Sequence, residues 1–98
     1  MKPPAVEVGA ELRGVLWACY EYWRNETLPC SRRSICYKWV LPLYGQRFGG
    51  RFHQSRLARL AKLGFLRPDQ QSRAGHRRYY TLADPKHVCR LLEQWQMI

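Results

Sequence analysis

Ser55-Arg56-Leu57-Ala58-Arg59-Leu60-Ala61-Lys62-Leu63-Gly64-Phe65-Leu66-Arg67-Pro68 changes period half-way along. Leu57, Leu60, Ala61 and Gly64 recur at i, i+3, i+4 and i+7, the spacing of one helical face. The helix should begin near Phe52 or His53, and Gly64 is placed to stop it, because glycine tolerates the left-handed backbone of a helix C-terminus. Ser55, Arg59 and Lys62 lie opposite the apolar stripe, with Arg56 on its flank, so the outer side is almost purely cationic. Phe65-Leu66-Arg67 then reads as a short strand that Pro68 closes.

Downstream, Asp69 to Gly75 is polar and reads as a hairpin loop, and His76 to Leu82 as the returning strand. Tyr80 and Leu82 share one face of it, with Arg77, Tyr79 and Thr81 on the other. Asp84-Pro85 is an N-cap followed by proline at the first helical position. Val88, Leu91, Leu92 and Trp95 carry the last helix to about Gln96.

Upstream, Val8, Leu12, Val15, Leu16, Cys19 and Trp23 form a helical stripe from Glu7 to about Trp23. Thr27-Leu28 adds at most a short extended piece before Pro29. Ser31 or Ser34 can cap a second helix to about Leu41, with Ile35, Trp39 and Leu43 inward, and Pro42 kinking or ending it. Tyr44 to Gly50 holds three glycines and reads as a turn. Residues 1–6 are Pro-rich and expected to be a disordered tail, leaving 7–98 as a single domain. The expected fold is mainly α with a small β-hairpin (α+β), in the order helix, helix, helix, strand, wing, strand, helix.

A chain of 98 residues buries roughly 65% of its unfolded surface, enough for one modest core. It is too short for a barrel or doubly wound enzyme. Its charge is segregated. Between Arg32 and Arg78 stand twelve cations and one acid, Asp69, whereas both ends are close to neutral, and the whole chain carries +10. Such a balance speaks about partners: nucleic acid or an anionic membrane surface. No apolar run approaches about 18 residues, so no transmembrane helix is expected. Met1 to Glu7 lacks the pattern of a secretion signal, so a cytoplasmic setting and reduced thiols at Cys19, Cys30, Cys36 and Cys89 are expected.

The segment Ser55 to Leu66, followed by Arg73-Ala74-Gly75-His76-Arg77-Arg78-Tyr79-Tyr80-Thr81-Leu82, resembles the winged helix-turn-helix superfamily of DNA-binding domains, of the MarR, PadR and ArsR kind. Ser55 to Leu66 is similar to the recognition helix and the glycine-apolar pair ending it. Arg73 to Leu82 is similar to the wing, whose tyrosine and leucine re-enter the core. The match covers roughly residues 31–82. It departs from the family at Pro42 and at the long stretch from Tyr44 to Arg51, where a tight turn is usual.

The resemblance implies a sequence-specific, double-stranded DNA-binding regulator, a repressor acting by operator occupancy without catalysis. Gln54, Ser55, Arg56 and Arg59 would face base edges, since a helix fits the major groove and Arg and Gln make two-point contacts with guanine and adenine. Lys62 suits phosphate. Arg73, His76, Arg77 and Arg78 on the wing would reach the backbone or a minor groove, and Arg47 and Arg51 would pin flanking phosphates. Surplus aromatic surface at Trp17, Tyr20, Tyr22 and Trp95, with Met97 and Ile98, suggests a homodimer through the terminal helices (7–24 and 84–96). That would place two recognition helices about 34 Å apart on a palindromic site. The alternative is a winged-helix protein that binds a protein or nucleoprotein complex, or RNA, as an inhibitor or as an accessory factor of replication or of a mobile element.

No cofactor and no metal are expected. Cys30-x5-Cys36 and His87-x-Cys89 lack zinc-site spacing, and i and i+2 diverge on a helix. The acids are scattered. His53 falls toward the inner side of its helix as a packed or capping residue, and Gly45, Gly49 and Gly50 do not have the spacing of a phosphate-cradling loop.

Overall fold

The computed structural model describes residues 8–25, 34–68 and 79–98. In chain order the elements are α1 (Ala10–Trp23), α2 (Tyr37–Phe48), α3 (Ser55–Lys62), β1 (Leu66–Pro68), β2 (Tyr80–Leu82) and α4 (Pro85–Gln94). The protein is compact, mainly α with a β-hairpin, and its order is helix, helix, helix, strand, strand, helix.

α1 is the central scaffold, packing on α2, α3, β2 and α4. Its Val15, Leu16, Ala18 and Cys19 are fully buried and meet Ile35, Val40, Leu57, Leu60, Leu66, Leu82, Val88 and Leu92 in one core. Gly14 lets α2 approach closely. A Cβ there would lie 3.0 Å from ring atoms of both Phe48 and Tyr44.

α2 corrects the sequence expectation most. It neither stops near Leu41 nor gives way to a turn at Tyr44; it runs through Pro42 and Gly45 to Phe48, and Gly49-Gly50 ends it. Pro42 removes one helical N–H, yet it is exposed, and the rings on either side hold the helix to α1. Its buried residue is Val40, with Tyr37, Leu41, Leu43 and Tyr44 half-buried against the core and Phe48 exposed at its end. Of the residues expected inward, Trp39 turns outward, 47% exposed, and Ile35 is buried but lies outside the helix. The register slips because Ile35 precedes the helix. Ile35 exchanges backbone hydrogen bonds with Tyr80 at 2.7 and 2.8 Å, an isolated antiparallel bridge that lengthens the sheet sideways.

β1 and β2 pair antiparallel with Leu66 opposite Leu82, Arg67 opposite Thr81 and Pro68 opposite Tyr80. Leu66, Tyr80 and Leu82 face the core, and Arg67 faces solvent. β1 thus begins and ends one residue later than Phe65-Leu66-Arg67 suggested. The Asp84 side chain accepts the His87 N–H at 3.2 Å, with Pro85 behind it, as its N-cap role requires. α1 starts at Ala10 rather than Glu7, and α4 ends at Gln94 rather than Gln96. Thr27-Leu28, the N-terminal tail, Cys30, and the loop and wing residues from Asp69 to Arg78 lie outside the described residues.

Candidate nucleic-acid interface

Two local devices set α3. At its C-terminus Gly64 takes φ +90°, and two hydrogen bonds close a Schellman motif: Phe65 N–H to Leu60 O at 3.0 Å and Gly64 N–H to Ala61 O at 3.1 Å. At its N-terminal side Phe52 is buried edge-on against Tyr37 and Tyr44, and the Tyr37 hydroxyl donates to the Phe52 carbonyl at 2.6 Å. The segment entering α3 is therefore stapled to α2. His53 is exposed, not inward. Its Nδ1 accepts the Ser55 N–H at 3.1 Å and lies 2.9 Å from the Ser55 hydroxyl, so the capping role holds while the packed one does not.

With Leu57 and Leu60 buried, α3 turns Ser55, Arg56, Arg59 and Lys62 outward, and Gln54 and Arg51 precede them in the same exposed run. Six of the eleven candidate residues are thus exposed along one continuous segment, which contains no acid. Two candidates are already engaged. Arg56 Nε lies 2.6 Å from Glu11 Oε1 of α1, with both side chains about half exposed (45% and 44%). Arg47 donates from Nη1 to the Met97 carbonyl at 2.6 Å, and its guanidinium lies over the rings of Trp17 and Phe48 at 4.5 and 5.2 Å. It clasps α2 to α1 and to the C-terminal residues. Arg73, His76, Arg77 and Arg78 lie outside the described residues.

Two residues gain a place that the sequence did not single out. Arg67 stands on the solvent face of β1, just past the α3 stop, and the alternation Leu66-Arg67 is a visible signal for it. Glu11 has none, because only the fold brings α1 against α3.

The aromatic surplus largely resolves into the core. Trp17, Tyr20, Tyr22, Trp95 and Met97 are half-buried against it, with Trp17 edge-on to Phe48 and Arg13 over Trp95. Among the described residues Trp39, Phe48 and Ile98 are the large exposed apolar side chains. Cys19, Cys36 and Cys89 are free thiols. Burial pushes the Cys19 thiol far up, and Cys89 donates toward Glu93 at 3.3 Å. The Tyr20 hydroxyl is raised mainly by its hydrogen bond with Cys89, then by burial. No group of three or more metal-type side chains converges among the described residues, and no described helix is long and apolar enough to cross a membrane.

Compared with family models, curated proteins and solved structures, the chain matches none. Its architecture is compatible with a winged helix.

Proposed function

We propose that the protein binds double-stranded DNA with sequence preference, as a winged-helix regulator that occupies an operator and blocks access to it. The observation that carries this reading is α3 itself: a helix stapled at both ends whose outward face is Ser55, Arg56, Arg59 and Lys62, led by exposed Gln54 and Arg51. A helix of that shape enters the major groove with its N-terminal side chains on base edges, and the cations nearer its end neutralise phosphate. The wing arginines Arg73, Arg77 and Arg78 with His76 extend the same surface in the proposal. Arg47 is left out of it, because its guanidinium, though exposed, is held by the Met97 carbonyl and lies over the Trp17 and Phe48 rings. Repression by occupancy requires no reaction and therefore no catalytic group.

The test is a fluorescence-polarisation titration at about 150 mM salt with duplex from the gene's own upstream region, scrambled duplex and single-stranded RNA. A preference of roughly 10³ or more for the cognate duplex supports a regulator. Equal binding to all three probes sinks it and favours a protein or nucleoprotein partner. Arg59→Ala should weaken binding and relax preference at one base pair. Arg78→Ala should weaken binding evenly across sequences and flatten its salt dependence.

The proposal includes a homodimer on a two-fold site with half-sites about 34 Å apart. Sedimentation equilibrium of the free protein, then of its complex, tests that part; a monomer in the first and one protomer per duplex in the second would remove it.

A further inference from the structure

Among the described residues, the acid that pairs with α3 is not on α3. Glu11 Oε1 binds Arg56 at Nε, the inner edge of the guanidinium, at 2.6 Å. A guanidinium has two usable edges: the inner one pairs the Nε hydrogen with one Nη hydrogen, and the outer one, formed by Nη1 and Nη2, keeps a donor on each nitrogen for another partner. Arg56 is also in the first turn of the exposed face, where base contact is expected. A free arginine side chain loses several rotatable bonds of freedom when it docks on guanine; one already held at its inner edge loses fewer. Carboxylate charge near a phosphate track works the other way and penalises unspecific approach.

Building on the DNA-binding reading above, we infer that Glu11 is a specificity-determining positioning residue, which presents the outer edge of Arg56 to guanine O6 and N7 in the major groove. Glu11 does not touch the base. It fixes the arginine that does, and it raises discrimination without raising overall affinity.

The test is selection on a duplex library with a randomised core, using wild type, Arg56→Ala, Glu11→Gln and the exchanged pair Glu11→Arg with Arg56→Glu. Wild type should enrich a guanine that Arg56→Ala no longer selects. Glu11→Gln should lose about tenfold of the preference at that same base pair, the scale of one good two-point contact, while binding random duplex as well as wild type or better. The exchanged pair restores an α1–α3 ion pair and so a wild-type melting temperature, but it should not recover the guanine. A purely structural ion pair predicts the reverse: Glu11→Gln melts earlier and selects the wild-type sequence. That result overturns the inference and leaves the DNA-binding reading intact. Failure of wild type to enrich any sequence overturns both.

Discussion

Gly64 and Gln96 perform the same act with different side chains. Each takes a left-handed backbone, φ +90° and +58°, just beyond a helix C-cap, and each sits in a Schellman pair of hydrogen bonds; for Gln96 these are Gln96 N–H to Glu93 O and Met97 N–H to Leu92 O. Only the glycine does so without steric cost. Nothing lies within 4 Å of a Cβ built on Gly64, so Gly64→Ala measures the backbone term alone. It should cost about 1 kcal/mol, a fall of roughly 4–8 °C in Tm for a domain of this size. Gln96→Gly should move Tm upward, by about 0.5–1 kcal/mol of stability. Thermal melts followed by circular dichroism read both. The cysteines separate on the same scale. Cys19 is fully buried and its thiol is pushed far up, so it stays protonated and shielded. It should resist iodoacetamide in the folded protein at about pH 8 and react once urea unfolds the chain, whereas half-buried Cys89 is modified before it.

At the scale of elements, the α1–α2 contact rests on the absence of a side chain. A Cβ at Gly14 already meets two aromatic rings at 3.0 Å, so Gly14→Leu must displace Tyr44 and Phe48 together. The expected loss is about 1–3 kcal/mol, seen as a lower urea midpoint at unchanged slope. Tyr44 also packs on Phe52, which leads into α3, so the same variant should loosen duplex binding without touching a cation. This helix pair also shows where the sequence was and was not legible. α3 and α4 were readable because their apolar stripe, cap and stop agree: Leu57 with Leu60 and Gly64, Val88 with Leu92 and Asp84. α2 was not, for a physical reason. Pro42 and Gly45 signal a break, and they are overruled by Tyr37, Val40, Leu41 and Tyr44 packing on α1, a tertiary effect that local propensity does not contain, so that only the paired glycines end the helix. Ile35 pointed inward as expected, but as a strand residue, and counting from it shifted the helix by a fraction of a turn. The cationic face of α3 was fully legible. The commitments of Arg47 to Met97 and of Arg56 to Glu11 were not, since each joins residues far apart in the chain.

For the whole molecule, the +10 charge becomes a quantitative expectation. With Arg51, Arg59, Lys62, Arg73, Arg77 and Arg78 on phosphate or groove, log K should fall against log salt with a slope of about −5. Lys62→Ala should make that slope shallower by roughly 1, whereas Arg47→Ala should leave it unchanged and lower Tm instead, because Arg47 holds the fold together. Titrations of both variants between about 50 and 300 mM salt distinguish the two roles; a slope change for Arg47→Ala would return that residue to the interface.

The Ile35–Tyr80 bridge carries a consequence for how the chain reaches this state. Its two residues are nearly three times as far apart in sequence as Leu66 and Leu82, so closing that loop costs about 1 kcal/mol more entropy. The α3–β1–β2 portion can assemble from near neighbours and await the arrival of the earlier segment, which then locks α2 and its aromatic cluster beside it. Folding would proceed from the proposed reading head outward, with the strap at Ile35 among the later ties to close.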